Sequence, residues 1–368
     1  MTVEFVNAIS ASSLRRHEDS AAFRFVDADH VARYARTLEQ WGFDHTLVPY
    51  GSASWDQFVV ATTVANATET LRLVVALRPN TAFPTVAAQA LSTLDQVSQG
   101  RVTVHIISGG DDREQRRQGD YLSKPERYAR SEEFIGILRQ AWGSTEPFDH
   151  EGTYYRFENF GPAAPTYEGR QIPVSFGGLS EDAIRVGAAT SDIFALWGEP
   201  LAETQQQIDR VHAEAARIGR TDPFRFWVTF RPIVAETDAL AEAKAERIVA
   251  ELETAYAKTG SKAHRADATN VGTVRLREIA AQQERHDTAL WTPKNIAGNG
   301  GASSFLVGSP ETVAEAIVKY VELGADIVSL PTLGDIGDAI DAGRYVIPLV
   351  REELANRALR EGAASIAS

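Results

Sequence analysis

Short apolar, β-branched runs alternate with longer stretches of helical period along this chain, strand then helix, about eight times. Strands are predicted at Val3–Ile9, Thr46–Val48, Leu71–Ala76, Val102–Ser108, Pro173–Phe176, Ile193–Leu196, Phe226–Val234 and Ile327–Leu330. Helices are predicted near Ala28–Trp41, Trp55–Ala65, Pro84–Ser98, Glu126–Trp142, Glu181–Ala189, Leu201–Ile218, Asp238–Thr254 and Pro310–Leu323, with one more after Asp335. That rhythm is the signature of a (β/α)8 TIM barrel in the α/β class. A doubly wound open sheet is the alternative, but its usual Gly-rich turn after the first strand is missing, since Asn7–Arg15 contains no glycine.

Local signals set the boundaries. Ser180-Glu181-Asp182 and Ser309-Pro310-Glu311 read as capped helix starts, and Gly143, Gly219 and Gly324 as stops. Two insertions break the rhythm of what is expected to be a single domain over residues 1–368. Asp149–Pro165 reads as a hairpin, and Tyr256–Ser304 as a long irregular segment ending in NIAGNGGASS. Long loops at the C-terminal rim of a barrel commonly act as lids or substrate loops.

Composition narrows the chemistry. A hydrophobic share of 43% and a charged share of 24% are those of an ordinary globular protein. The net charge of −13 argues against a nucleic-acid or anionic-membrane surface, so any anionic ligand has to be held locally. With no cysteine there is no disulfide, thiolate nucleophile or Cys-ligated metal. MTVEFVNAIS has neither a basic n-region nor a long apolar run, and no segment approaches a membrane span, so a cytoplasmic enzyme is expected. The eight histidines form no HxH or HExxH pair, and no metal is expected. Neither a G-x-S-x-G elbow nor a P-loop occurs.

In a barrel the functional residues follow the strands. The strand-end positions are Pro49-Tyr50-Gly51-Ser52, Leu77-Arg78-Pro79, His105 with Ser108-Gly109-Gly110, Gly177-Gly178-Leu179-Ser180, Trp197-Gly198-Glu199, Thr229 with Arg231, and Thr332. Glycines, hydroxyls and aromatics dominate and acids are few, which favours a bound cofactor over carboxylate-pair hydrolysis. The stretch Arg101–Phe134 carries most of the signal: a strand, a small-residue turn, a charged loop, then a helix opening at Glu126-Arg127-Tyr128. An arginine in a first turn opposes the helix dipole and asks for an anion nearby. The Gly177–Ser180 turn enters a helix where bare N–H groups and a hydroxyl can hold phosphate, although Ser180 can equally be a plain N-cap. His105 is either a core histidine or a ligand contact.

Several blocks, in order, resemble the bacterial-luciferase-like flavin monooxygenases, within the branch of alkanesulfonate, dimethylsulfone and pyrimidine monooxygenases. They are VALRPNTAFPTVAAQALSTLDQVSQGR (75–101), SGGDDRE with ERYARSEEF, PVSFGGLSEDA (173–183), LWGEP (196–200) and SSFLVGSPETVAEAIVKYVELGADIVSL (303–330). The resemblance implies a barrel that binds reduced FMN (FMNH2) from a separate NAD(P)H-dependent flavin reductase and uses O2, commonly as a dimer or tetramer. It implies FMN contacts at Pro49, Tyr50, His105, Glu114, Arg127, Tyr128 and Ser180, with Gly178 in the same turn. His105 stands where relatives of this branch usually have asparagine.

On the substrate side, Ser54 replaces a cysteine, Thr229 and Arg231 replace an arginine and a histidine, and Leu333 and Asp335 replace a tyrosine and a histidine. These departures argue against simple alkanesulfonates. Substrate contacts are expected at Ser54, Trp197, Thr229 and Arg231, with His105 and Arg231 the catalytic candidates. The leading expectation is an FMNH2- and O2-dependent monooxygenase that cleaves a C–N or C–S bond. One alternative is a riboflavin lyase, with Trp55, Trp197, Trp227 and Trp291 stacking a second ring system unless they are core or interface residues. Others are a deazaflavin F420 enzyme and a non-catalytic flavin-binding protein.

Overall fold

A computed structural model describes residues 2–12, 25–161, 164–258, 270–298, 304–332 and 335–367. Its first half runs β1 (Glu4–Ala8), α1 (Ala28–Gln40), β2 (His45–Val48), α2 (Gln57–Ala67), β3 (Arg72–Leu77), α3 (Pro84–Val97), β4 (Val102–Ile106), α4 (Asp112–Arg116), α5 (Lys124–Gly143), and the hairpin β5 (Phe148–Glu151) and β6 (Arg156–Phe160). Next come β7 (Val174–Gly177), α6 (Glu181–Thr190), β8 (Ile193–Trp197), α7 (Leu201–Arg217), β9 (Arg225–Thr229), β10 (Arg231–Val234), α8 (Asp238–Lys258) and α9 (Val271–Gln282). The chain ends with β11 (Arg285–His286), β12 (Leu290–Trp291), β13 (Phe305–Gly308), α10 (Pro310–Glu322), β14 (Ala325–Ser329), α11 (Ile336–Asp341) and α12 (Ile347–Ala367). No helix among the described residues is long and apolar enough to cross a membrane.

Strands β1, β2, β3, β4, β7, β8, β9 and β14 close into a parallel barrel in that order, as the alternation predicts. Because paired residues in a parallel ladder share a face, the register fixes what points inward. Val6, Val74, Ile193, Trp227 and Ile327 form an apolar interior layer, with Leu47 and Ala195 against it. Towards the carboxyl ends, Ala76, His105 and Gly177 follow on the same face, with Trp197, Thr229 and Ser329 across the barrel. The opposite parity, Phe5, Leu73, Val75, Val104, Phe176 and Val228 among it, packs outward on the helices.

Three expectations change. The predicted strand Phe226–Val234 breaks at Phe230: β9 stays in the barrel, whereas β10 leaves to pair with β13 in a separate β10-β13-β12-β11 sheet. Phe230 is buried, its ring 4.5 Å from that of Tyr320. A Cβ on Gly198 would come within 2.3 Å of the Phe230 ring, so the crossing requires glycine there. The described part of the Tyr256–Ser304 segment is not irregular: Tyr256 lies in the last turn of α8, α9 follows, and β11 and β12 pair antiparallel; residues 259–269 and 299–303 lie outside those described. Helix α5 opens at Lys124 rather than Glu126, since Ser123 and Glu126 form a reciprocal capping box with Pro125 in the first turn.

The amino-terminal end of the barrel is closed by charge. Glu4 receives hydrogen bonds from Arg72 and Arg225 and lies 3.0 Å from His45 Nε2. Burial alone would raise the Glu4 carboxyl, but the bonds to His45, Arg225 and Arg72 overcome it and hold the group well below the usual carboxylate range. A depressed carboxylate stabilises the fold above its unfolded value, and that contribution is lost as pH falls through the folded one. Glu4→Gln is therefore expected to lower stability at neutral pH by about 1–3 kcal/mol. In urea titrations at stepped pH the gap to the unsubstituted protein should close below about pH 4; a gap independent of pH would contradict this account.

Candidate active site

The opposite rim gathers the functional side chains in three groups, each built by the loop that follows a strand. The first surrounds Arg78, a buried residue just past β3. Its Nη2 is 3.2 Å from Glu114 Oε1, its Nη1 donates to Gln118 Oε1 at 3.2 Å, and its guanidinium lies 5.0 Å from the Tyr50 ring centroid. Ser52 N donates to Glu114 Oε1 at 2.9 Å and Gln118 donates to the Tyr50 hydroxyl. Tyr50 and Glu114 are thus neighbours, and Arg78, with Gln118, is the residue that joins them. The run Leu77-Arg78-Pro79 marks Arg78 only as a strand-end position; its partners on α4 and the residues after it are invisible to spacing. Ser54, on the same turn as Tyr50, is exposed and bonds its own loop, accepting from Gly51 N at 3.0 Å and donating to Gly51 O.

The second group is the head of α6. Gly178 has φ +144°, and a Cβ there would stand 2.6 Å from Ala183 Cβ and 3.2 Å from the Tyr128 hydroxyl; a Cβ on Gly177 would stand 2.9 Å from Ala195 O. Both positions need glycine, and the chain is held close to the helix start. Ser180 caps α6 by accepting from Ala183 N, and its side chain also bonds the Tyr128 hydroxyl. Burial raises the Tyr128 hydroxyl above its ordinary range, with the Ser180 bond opposing. Half-buried Lys124 stands close enough to feel Asp182, Asp112 and Arg127; burial first, then Arg127, lowers its pKa. This ammonium makes no ion pair among the described residues. Two hydroxyls, helix N–H groups and an unpaired cation form a donor set that suits a phosphate monoester.

Arg127 finds an anion within the protein. It is 1% exposed, and its guanidinium donates to Leu122 O at 2.7 Å, Gly109 O at 3.4 Å and Asp112 Oδ1 at 2.8 Å. The anion that answers its place in the first turn of α5 is Asp112. Arg127 therefore shapes the β4 loop, with Gly109 at φ +87° folded over the buried Gln115 side chain.

The third group is the mouth itself. His105 Nδ1 lies 2.9 Å from Ser175 Oγ on the adjacent strand, and its ring centroid is 5.6 Å from that of Trp227. Burial without a carboxylate nearby pulls the imidazole down to about 4, so it is neutral at physiological pH. Trp197 is half-buried beneath α9, where a Cβ on Gly272 would be 3.0 Å from the indole. Helix α9 is tied to the rim by Arg275, whose Nε lies 2.8 Å from both carboxylate oxygens of the buried Glu199. Thr229 closes β9 on the inward face. Arg231 opens β10: its Nη1 donates to Pro331 O at 3.3 Å, its Nε has no partner, and burial lowers its pKa. No carboxylate pairs with it among the described residues. Pro49 directly follows β2, beside Tyr50, Asp335 caps α11 by accepting from Gly337 N at 2.8 Å, and Leu333 lies outside the described residues.

The four tryptophans proposed to line one aromatic wall do not gather. Trp291 packs with Phe305 in the core of the side sheet, and Trp227 lies in the apolar interior layer below His105. Trp55, on the β2–α2 loop, and Trp197, at the end of β8, stand at the rim on separate strands. Period-two and period-3.6 patterns report burial, not which buried face a ring joins.

Residues 6–326 match the family model described as luciferase-like monooxygenase. The chain belongs to the luciferase-like monooxygenase family. This luciferase-like monooxygenase is similar in fold to a riboflavin lyase solved with modified FMN and riboflavin, at 19% identity over 96% of this chain and 92% of that one, TM-score 0.77. It is similar to the EDTA monooxygenase of Chelativorans sp. BNC1, at 16% identity over 96% and 94%, TM-score 0.78. An F420-dependent secondary alcohol dehydrogenase holding an F420–acetone adduct matches at 17% identity over 95% and 100%, TM-score 0.70. At these identities the likeness establishes the barrel.

Within the luciferase-like monooxygenase barrel, the α6 cradle makes a discriminating test. Tyr128→Phe and Ser180→Ala are each expected to weaken FMN by about 10–100-fold, the worth of one hydrogen bond to a charged group. Riboflavin, which lacks the phosphate, should bind within about twofold of the parent in the same fluorescence titration. Equal losses for both flavins would remove the phosphate from this position.

Proposed function

We propose that this oxidoreductase is the oxygenase component of a two-component monooxygenase. It takes FMNH2 from a separate NAD(P)H-dependent flavin reductase and uses O2 to cleave a C–N or C–S bond in an organic substrate other than a simple alkanesulfonate. One oxygen atom enters the product and the other leaves as water. The observation that carries the reading is the α6 cradle, where the head of α6 after Gly178, the Ser180 and Tyr128 hydroxyls and the Lys124 ammonium offer a phosphate a set of donors. Bound reduced FMN would supply the electrons and the place where oxygen is activated. The chain's own residues hold and enclose. Tyr128 and Ser180 bind phosphate, Tyr50 and His105 flank the ring site, and Trp197 under α9 keeps water from the mouth. Exposed Val59, Phe83 and Val86 leave apolar surface on and beside α2 and α3, in keeping with a homo-oligomer.

Arg231 narrows the substrate. A half-buried guanidinium with no carboxylate partner among the described residues carries a desolvation cost, and an acidic or carbonyl-bearing substrate would offset it. The reading is tested by photoreducing FMN anaerobically with the protein, then admitting O2 with sulfonates, sulfones, pyrimidines, aminopolycarboxylates or riboflavin. Oxygen uptake coupled to one product supports it; retained FMN with no product across the panel points to a flavin-binding protein instead. Tight F420 binding with no affinity for FMN would replace the cofactor. Arg231→Ala should raise KM for the accepted anionic substrate by about 10–100-fold, the range expected for a lost charge-assisted bond. The kcat should change far less, and an unchanged KM would free Arg231 of this role.

The riboflavin lyase reading keeps one point in its favour, the fold likeness to an enzyme solved with that substrate. Lumichrome formed from riboflavin in the same assay would favour it, and its absence would remove it.

A further inference from the structure

The pairing of His105 with Ser175 reaches beyond simple contact. Ser175 lies on β7, is fully buried, and points into the barrel between His105 on β4 and Ile193 on β8. Among the described residues its hydroxyl has a single hydrogen-bond partner, His105 Nδ1 at 2.9 Å. A serine hydroxyl must place its proton somewhere. If Nδ1 were protonated it would donate to Ser175 Oγ, and the hydroxyl hydrogen would be left buried with no acceptor. If Ser175 donates instead, Nδ1 accepts, both groups are satisfied, and the one ring proton sits on Nε2. His105 remains half-buried inside a closed barrel, and its Nε2 has no partner among the described residues yet keeps contact with solvent, so this nitrogen faces the open mouth.

We infer that Ser175 is a positioning residue that locks His105 in its neutral Nε2–H form, so that the floor of the mouth presents a fixed hydrogen-bond donor to the ring system bound above it. The ring must then offer an acceptor there, a carbonyl oxygen or an unprotonated ring nitrogen. His105 acts as a donor and not as an acid or base, which matches its surroundings: Ala76, Ser175 and Trp227 flank it, and none carries charge. The asparagine amide that relatives carry is also a neutral donor, so the two residue types can fill one role by different chemistry. The tautomer stands on the geometry of the ligand-free protein; only the identification of the ring as a flavin rests on the function proposed above.

The test is long-range proton–nitrogen NMR on ligand-free protein labelled with 15N-histidine, the His105 signals being assigned by their loss in His105→Asn. The expected pattern is an acceptor-type Nδ1 and a protonated Nε2, unchanged from about pH 5.5 to 8. Ser175→Ala should admit a measurable Nδ1–H population, and Ser175→Thr should restore the original pattern. A protonated Nδ1 in the parent protein, an imidazolium near neutrality, or a tautomer ratio indifferent to Ser175→Ala would overturn the inference. Flavin titration supplies the second arm. His105→Asn should keep flavin affinity within a few-fold, whereas His105→Leu should lose about tenfold. Equal affinity in the two variants would refute the donor role. If flavin bound to no variant, nor to the parent, the proposed function would fail while the NMR result still decided the tautomer.

Discussion

Eight parallel strands joined in a closed ladder must all deliver their carboxyl ends to one rim, and nearly everything of interest here depends on that constraint. Pairing in register makes Ala76, His105 and Ser175 neighbours on one inward face although long stretches of chain separate them. The same ladder stacks an apolar layer beneath His105 and a charged seal around Glu4 at the far end. Access is thereby restricted to one side.

Polarity at the open rim is arranged in the same spirit. A chain of net charge −13 keeps its useful cations inside. Arg78 is answered by Glu114, Arg127 by Asp112 and Arg275 by Glu199, so each fixes a loop or helix in place. Lys124, at the start of α5 and near Asp182 of α6, and Arg231, at the start of β10, make no ion pair with a carboxylate among the described residues. Pairing decides which cations build and which remain for a ligand.

Much of this was legible in the residues. The alternation predicts the barrel, seven barrel strands lie within two residues of their expected bounds, and Gly178 and Ser180 mark the head of α6 in the sequence itself. Other features were not legible, for physical reasons. Arg127 asks for an anion because a first-turn arginine opposes the helix dipole, and the residue that supplies it, Asp112 at the start of α4, is one the spacing does not single out. The 226–234 run reads as one strand because its alternation never breaks. What divides it is the packing of Phe230 on Tyr320 and against Gly198, contacts from distant parts of the chain.

The chain by itself determined the period of each element, the capped helix starts and the family, because these depend on neighbours a few residues apart or on ordered blocks of sequence. Only the tertiary structure decided that Arg78 joins Tyr50 to Glu114, that α9 lies over Trp197, and that Ser175 meets His105. Those are contacts across the barrel or between adjacent strands, set by ladder register and by the volume of packed side chains, and no local pattern encodes them.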